Sequence, residues 1–324
     1  MKIIVTHSSP DLDAIASVWF IKKFLQGWED AEVKFVPAGE RYSKLVSSSR
    51  TSILISDPIE KINDDEVVHV DTGLGPFDHH LTSDENISAT SLVWEYIKES
   101  QKLKVKSQNE EESEKWKDRE EAVDRMVKVV TDIDHFKEVF WENPLGNYHD
   151  FSLVAILEGL KFQKPNQDEY YVEFIASCLD AILHAFENRV WAEKEISEKG
   201  HEFATRFGKA LAIETINDSV LKLGQKMGYV IVLRKDPRKG YVRIKALPSD
   251  NKQQSTNNNQ QTAATDHQEI DLTLAYEKLK KMDPEATWFL HVSKKMLLNG
   301  TTKNPKMKAS TLSLEQIIKV LEVI

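Results

Sequence analysis

The run Ile3-Ile4-Val5-Thr6-His7-Ser8-Ser9-Pro10-Asp11-Leu12-Asp13-Ala14 ends an apolar, β-branched stretch in one imidazole and two carboxylates. Spacing alone lets His7 and Asp11 fold back onto one cation while Asp13 faces a second. Pro10 stiffens the turn, and Asp11 can also cap a helix starting beside it. The plain alternative is that the acids only cap that helix and His7 is incidental. Further along, Val67-Val68-His69-Val70-Asp71-Thr72-Gly73 again runs apolar into a carboxylate, and Asp78-His79-His80 follows after a Gly-containing turn. A third acid pair, Asp132 and Asp134, closes the amphipathic stretch from Glu121 to Val130. Imidazole and carboxylate together suit Mn, Zn, Fe or Co better than Ca or Mg alone.

Those ligands need elements that deliver them to one place. Residues 2–6, 32–37, 52–56 and 66–71 read as short buried strands, and 13–26 and 89–99 as helices, the second opened by Ser88 and Thr90. Strand and helix in alternation predict an α/β fold, a mainly parallel sheet with helices on both faces. Ligands then collect beyond the carboxyl ends of its strands. From about 115 to 224 the pattern is helical, with Phe151, Leu153, Leu157, Leu160, Phe174, Leu179, Ile182, Phe186 and Trp191 as expected core anchors. A hairpin is expected over 228–247. The Asn/Gln/Ser/Thr-rich stretch 249–268 reads as a flexible insertion that buries too little to order itself. A helix over 272–281, a strand over 288–292 and a helix over 312–324 complete a smaller mixed α+β domain. The expected divisions are a metal-binding catalytic domain (1–140), a helical connector (141–224) and a substrate-binding domain (225–324).

The ligand motifs resemble those of the DHH phosphoesterase superfamily. Its first motif is matched by His7 to Ala14, its second by Val70-Asp71 and its third by Asp78-His79-His80, with Asp134 the best match to its isolated fourth aspartate, in the family's order over roughly the first half of the chain. The resemblance implies a hydrolase with two divalent ions, usually Mn, with Mg, Co or Fe as substitutes. It implies His7, Asp11 and Asp71 around one ion and Asp13, Asp71, His79 and Asp134 around the other. Asp71 would bridge, His80 would face the substrate phosphate, and Asp78 would orient an imidazole.

The carboxyl-terminal segment from Ser293 to Lys308 holds five lysines and no acid. Such a loop can present amides, hydroxyls and ammonium groups to an anion. The expected contacts are Lys294, Lys295, Asn299, Gly300, Thr301, Thr302 and Lys303; a solvated basic turn is the plain alternative. The layout resembles the melanocyte-proliferating-gene branch of the superfamily, as does the hairpin with Arg243 and Leu247-Pro248. It departs from that branch in lacking paired glycines. The same absence removes the Gly-Gly-Gly-His signature of oligoribonucleases, and no Arg-Lys-Lys-Gln run of family II pyrophosphatases is present.

Composition limits the partners. The 324-residue chain is long enough for two domains. Its formal charge of -9 argues against broad binding to long nucleic acid. The acidic run from Asn109 to Glu121 reads as a solvated helix face or linker. No run of about 18 apolar residues suggests a membrane span. Met1-Lys2-Ile3 enters a strand without a signal-peptide pattern, and the single cysteine, Cys178, reads as a small buried hydrophobe. A cytoplasmic setting is expected. The leading expectation is a phosphodiesterase acting on nucleotides or short oligonucleotides, with a 3′-exonuclease as one form of it and the polarity left open. Pyrophosphate or a cyclic dinucleotide is the alternative substrate, and a non-enzymatic nucleotide- or metal-binding module the alternative class.

Overall fold

The computed structural model describes residues 1–42, 57–105, 110–248, 269–301, 304 and 306–324. The chain is mixed α/β and divides into two compact units, Met1–Glu187 and Asn188–Ile324. The expected strand at 52–56 and the insertion at 249–268 lie outside the described residues.

The first unit is built on a four-stranded sheet of order β2-β1-β4-β3. Strand β1 (Lys2–His7) runs parallel to both β2 (Glu32–Val36) and β4 (Asp65–His69), while β3 (Glu60–Ile62) joins the β4 edge antiparallel. The sheet is therefore partly parallel. Ile3, Ile4, Val5, Val67 and Val68 are all fully buried. Successive side chains point to opposite faces, so a strand buried at every position must be covered on both. Helix α1 (Leu12–Phe24) is buried over its first ten residues, which explains why it shows almost no polar face. It packs on α2 (Ala89–Val105) and α3 (Glu110–Asp134), with Trp19, Phe20, Phe24 and Trp94 as the aromatic contact. The acidic run is thus mostly the start of α3. Two 3₁₀ turns (Lys137–Phe140 and Asn147–Phe151), α4 (Leu153–Gln163) and most of α5 (Asp168–Lys199) complete the unit.

The anchors expected between 151 and 191 divide. Leu157 and Leu179 are buried, but Phe151 is 89 % exposed, and Phe174 and Trp191 are also exposed. Helical spacing predicts a shared face; it does not say whether a partner element covers that face. Cys178 is only partly buried.

The second unit carries a six-stranded sheet of order β5-β6-β7-β8-β10-β9. Its strands are β5 (His201–Thr205), β6 (Gly208–Glu214), β7 (Ile231–Lys235), β8 (Val242–Ala246), β9 (Trp288–Leu290) and β10 (Met296–Asn299). Among the described strands of this sheet only β6 and β7 pair parallel; β7 and β8 form the expected hairpin. Ala210, Ala212, Ile231 and Leu233 face α7 (Thr273–Met282) and α8 (Leu314–Glu322). Leu211, Ile213 and Val232 face α6 (Ser219–Lys226) and the end of α5. Two expectations are corrected here. Strands β5 and β6 fall within the span read as helical, and β10 falls within the lysine-rich stretch read as loop.

Candidate metal centre

Two loops, one after β1 and one after β4, and two helix ends, the start of α1 and the end of α3, bring the ligands together. His7 is the last residue of β1, and its Nδ1–H donates to the Ser8 carbonyl (3.0 Å), which leaves Nε2 facing carboxylates. Nε2 lies 3.2 Å from Asp71 Oδ2 and 3.9 Å from Asp11 Oδ2. The turn after β1 is held by α4 and α5: Lys161 Nζ donates to the Ser9 carbonyl and the Ser9 amide donates to Asp168. Asp11 does both jobs considered for it. One oxygen accepts the Ala14 amide as the N-cap of α1, and the other is the one near His7.

Asp71 lies just beyond β4 with φ +53°, a left-handed conformation costly for a residue with a Cβ. Its amide donates to the Phe77 carbonyl, closing the loop that returns the chain to Asp78-His79-His80. Asp78 organises that loop from inside, accepting the amides of Leu74 and His80 and the His80 Nδ1 proton at 2.7 Å. A second brace comes from the Arg41 guanidinium, which bonds the Gly73 carbonyl and pairs with Glu60, itself bonded to the buried His69.

His79 is the hub of the other half. Its Nε2 is 3.3 Å from Asp71 Oδ1, 3.5 Å from Asp134 Oδ2 and 3.9 Å from Asp13 Oδ2. Asp134 ends α3, whereas Asp132 turns away to pair with Lys128. His80 approaches Asp71 only to 3.7 Å and is 59 % exposed, with Nδ1 occupied by Asp78. Asp13, fully buried, accepts the Ala89 and Thr90 amides at the start of α2 (2.7 and 2.9 Å). It caps that helix as well as facing the cluster.

These groups divide into sets of three whose ligand atoms lie within 4.8 Å of one another: His7/Asp11/Asp71, Asp71/His79/His80 and His79/Asp134/His135. Asp71 is common to two of them. The donor set fits a cation. Asp71 Oδ1 and Asp134 Oδ2 are buried, and neither has a hydrogen-bond partner among the described residues, although His79 lies near both. An orphaned buried carboxylate oxygen is costly unless a cation or donor meets it.

The electrostatics agree. Burial opposes the His7 imidazolium, yet Asp71, the Ser8 carbonyl and Asp11 outweigh it and raise its pKa to about 9. The adjacent Asp71 carboxylate, with the charges of Asp134 and Asp13, raises His79 to about 9 as well. Burial, reinforced by the charges of Asp71 and Asp134, lifts Asp13 to about 7. Burial also raises Asp134. It works against the Asp71 carboxylate too, but His7 and His79 prevail and hold it below the usual range. In the metal-free chain, protons on the two histidines supply the positive charge these carboxylates require.

His135 was not singled out from the sequence. Its Nε2–H donates to the Ile87 carbonyl, its ring meets His79 edge-on at 5.7 Å, and it lies 3.7 Å from Asp134. The only signal was a histidine directly after the acid that ends α3.

The lysine-rich segment belongs to the second unit. Lys294 pairs with Asp271, and Lys295 bonds the Ile270 carbonyl and pairs with Glu269. Asn299 is buried, its amide spanning the Thr287 and Lys308 carbonyls. Gly300 has φ +81°, and a Cβ there would strike the Tyr241 ring. Thr301 bridges to Asn304; Thr302 and Lys303 lie outside the described residues. No described helix is long and apolar enough to cross a membrane.

No family model and no curated protein matches this chain. Among solved structures, it is similar to an uncharacterized protein from Helicobacter pylori G27, with 14 % identity, 99 % of each chain covered and a TM-score of 0.21. A putative family II inorganic pyrophosphatase from Methanococcus jannaschii shows 13 % identity over 76 % of this chain and 88 % of that one, with a TM-score of 0.17. Similarity at this level carries no argument about activity.

Proposed function

We propose that the chain is a DHH-type phosphoesterase that hydrolyses phosphodiester bonds in nucleotides or short oligonucleotides, with two divalent ions, Mn by preference. The observation that carries this reading is the Asp71 carboxylate, which offers Oδ2 to the His7/Asp11 side and Oδ1 to the His79 side while buried. One carboxylate shared between two ligand sets is what a bridging ligand requires. Two such ions would supply charge neutralisation for a phosphate and acidification of a water molecule. His7, Asp11 and Asp71 would hold one, and Asp13, Asp71, His79 and Asp134 the other.

The protein's own part is positioning. Asp78 fixes the His80 ring through Nδ1, leaving Nε2 for a phosphate oxygen. Capping of α1 by Asp11 and of α2 by Asp13 ties two ligands to rigid elements. The lysine-rich segment is proposed, on its own, as an anion contact through Lys294, Lys295, Thr301, Thr302 and Lys303, whereas the buried Asn299 amide and Gly300 serve the fold. The test is hydrolysis by the Mn-loaded protein across short RNA, short DNA, cyclic dinucleotides and pyrophosphate. Turnover of the short oligonucleotides with release of mononucleotides supports the reading. Turnover of pyrophosphate alone replaces the substrate, and no turnover of any leaves a binding module.

A further inference from the structure

Asp13 and Asp134 come from elements far apart in the chain, the start of α1 and the end of α3. Their Oδ2 atoms face the same His79 Nε2, at 3.9 and 3.5 Å, so like charges are held close and repel one another. Asp13 is fixed by the Ala89 and Thr90 amides of α2. Asp134 has no such bond among the described residues: its Oδ2 is buried and lacks a hydrogen-bond partner. It also ends a helix, where the backbone frays unless something ties it. Phe136, in the left-handed conformation (φ +55°), then turns the chain away. Between them stands His135. Its Nε2–H donates at 2.9 Å to the carbonyl of Ile87, just before Ala89. A carbonyl only accepts, so the proton sits on Nε2, and that nitrogen has no lone pair for a cation. The same Nε2 lies 3.7 Å from Asp134 Oδ2. Two more bonds join these segments. Ser88 and Thr131, both buried, share a hydroxyl bond at 3.0 Å, and Lys137 Nζ donates to the Glu85 carbonyl at 2.7 Å.

We infer that His135 is a positioning residue: its bond to the Ile87 carbonyl ties the Asp134 end of α3 to the start of α2 that holds Asp13, and so shapes the His79-side ion site. The inference rests on the two-ion reading for what that site holds. The path is short and continuous, from Asp134 through His135 and the Ile87 carbonyl to the Ala89 and Thr90 amides and Asp13. A tie across it keeps the two carboxylates together in the absence of a cation. The cation then need not spend binding energy on drawing them in against their repulsion. His7 and Asp11 lie outside this path. They are held by β1 and the turn after it, which Lys161 and Asp168 secure. Loss of His135 therefore acts on one half of the centre. That selectivity separates positioning from a general contribution to folding, which would weaken both halves.

The test titrates the full chain with Mn and follows its amide hydrogen exchange in EDTA. Wild type should take two tight ions. His135→Ala should keep one and bind the other about 10- to 100-fold more weakly, the range for losing a group that orients a ligand. Its Ala89 and Thr90 amides should exchange about fivefold faster or more, the scale of one lost hydrogen bond, while those of β1 keep the wild-type rate. His135→Gln, which places an amide N–H where Nε2–H was, should stay near wild type in both measurements. Two ions bound by His135→Ala as tightly as by wild type would overturn the inference. So would equal weakening of both ions, the mark of a purely structural role. A His135→Gln variant that loses the ion as fully as His135→Ala would overturn it too, because the ring would then be a ligand. Wild type that takes fewer than two ions counts against the two-ion reading instead. The exchange rates then decide the tie alone, and Ala89 and Thr90 amides no faster in His135→Ala than in wild type overturn it.

Discussion

Asp13 and Ala89 are joined by a 2.7 Å hydrogen bond in which the Asp13 Oδ2 facing His79 also accepts the first amide of α2. One oxygen thus serves a helix terminus and the metal centre, so the two functions can be separated by substitution.

Asp13→Asn keeps one of the two cap acceptors, turns Nδ2 toward the other amide, and removes a charge that Asp71 and Asp134 repel. Above about pH 7 the metal-free variant should melt above Asp13→Ala, and it should lose the rise in Tm that Mn gives wild type. Asp13→Ala, lacking both cap bonds, should be less stable by about 1–2 kcal/mol. Melting curves with and without Mn check the pair. A metal-free Asp13→Asn variant no more stable than Asp13→Ala above pH 7 would contradict the repulsion.

Protons and metal compete for the same atoms. His7 and His79, raised from 6.5 to about 9, stabilise the metal-free fold fully below pH 6.5 and lose that contribution as pH rises through about 9. Asp13, raised from 3.8 to about 7, also binds its proton more tightly when folded. Its contribution is greatest below about pH 4 and is lost as pH rises through 7. The lowered Asp71 carboxylate works the other way in acid, so it is above about pH 5 that metal-free stability should fall, toward pH 9. Mn affinity should rise over pH 7–9, with proton release visible as a buffer-dependent binding enthalpy. A pH-independent Mn affinity across that window would rule out this competition.

His79 and His80 are neighbours with different environments. His79 Nε2 lies within 4 Å of three carboxylates, whereas His80 is exposed and committed to Asp78 through Nδ1. His79→Ala should lower bound metal. His80→Ala should retain metal and lower turnover, by about 10²-fold for loss of one phosphate-directed donor. Metal analysis of the purified variants decides between these roles, and equal metal loss would merge them.

Much of the first unit was legible because its ligands sit at strand ends, where a β-branched run stopping at His7 or Asp71 marks the position. The choice between Asp132 and Asp134 was not, since residues two apart on a helix face different ways and only packing shows which one meets His79. His135 has no sequence mark, because its partner, the Ile87 carbonyl, is a tertiary contact. Strands β5 and β6 follow a 32-residue helix and are short, so the helical period ran over them. Met296 to Asn299 was hidden by the lysines around it. Phe151 has core-like spacing yet is exposed, because aromatic spacing carries no information about what covers it.

The bridging role of Asp71 is tested most directly by Asp71→Asn. Asparagine tolerates the left-handed conformation that Asp71 adopts, so the loop should keep its shape. The variant loses the charge that would hold two cations to one carboxylate. Mn titration monitored by metal analysis should fall from two tight ions per chain to fewer than two, and hydrolysis should drop by ~10³ or more. Two tightly bound ions and near-normal turnover in Asp71→Asn would contradict the dinuclear account.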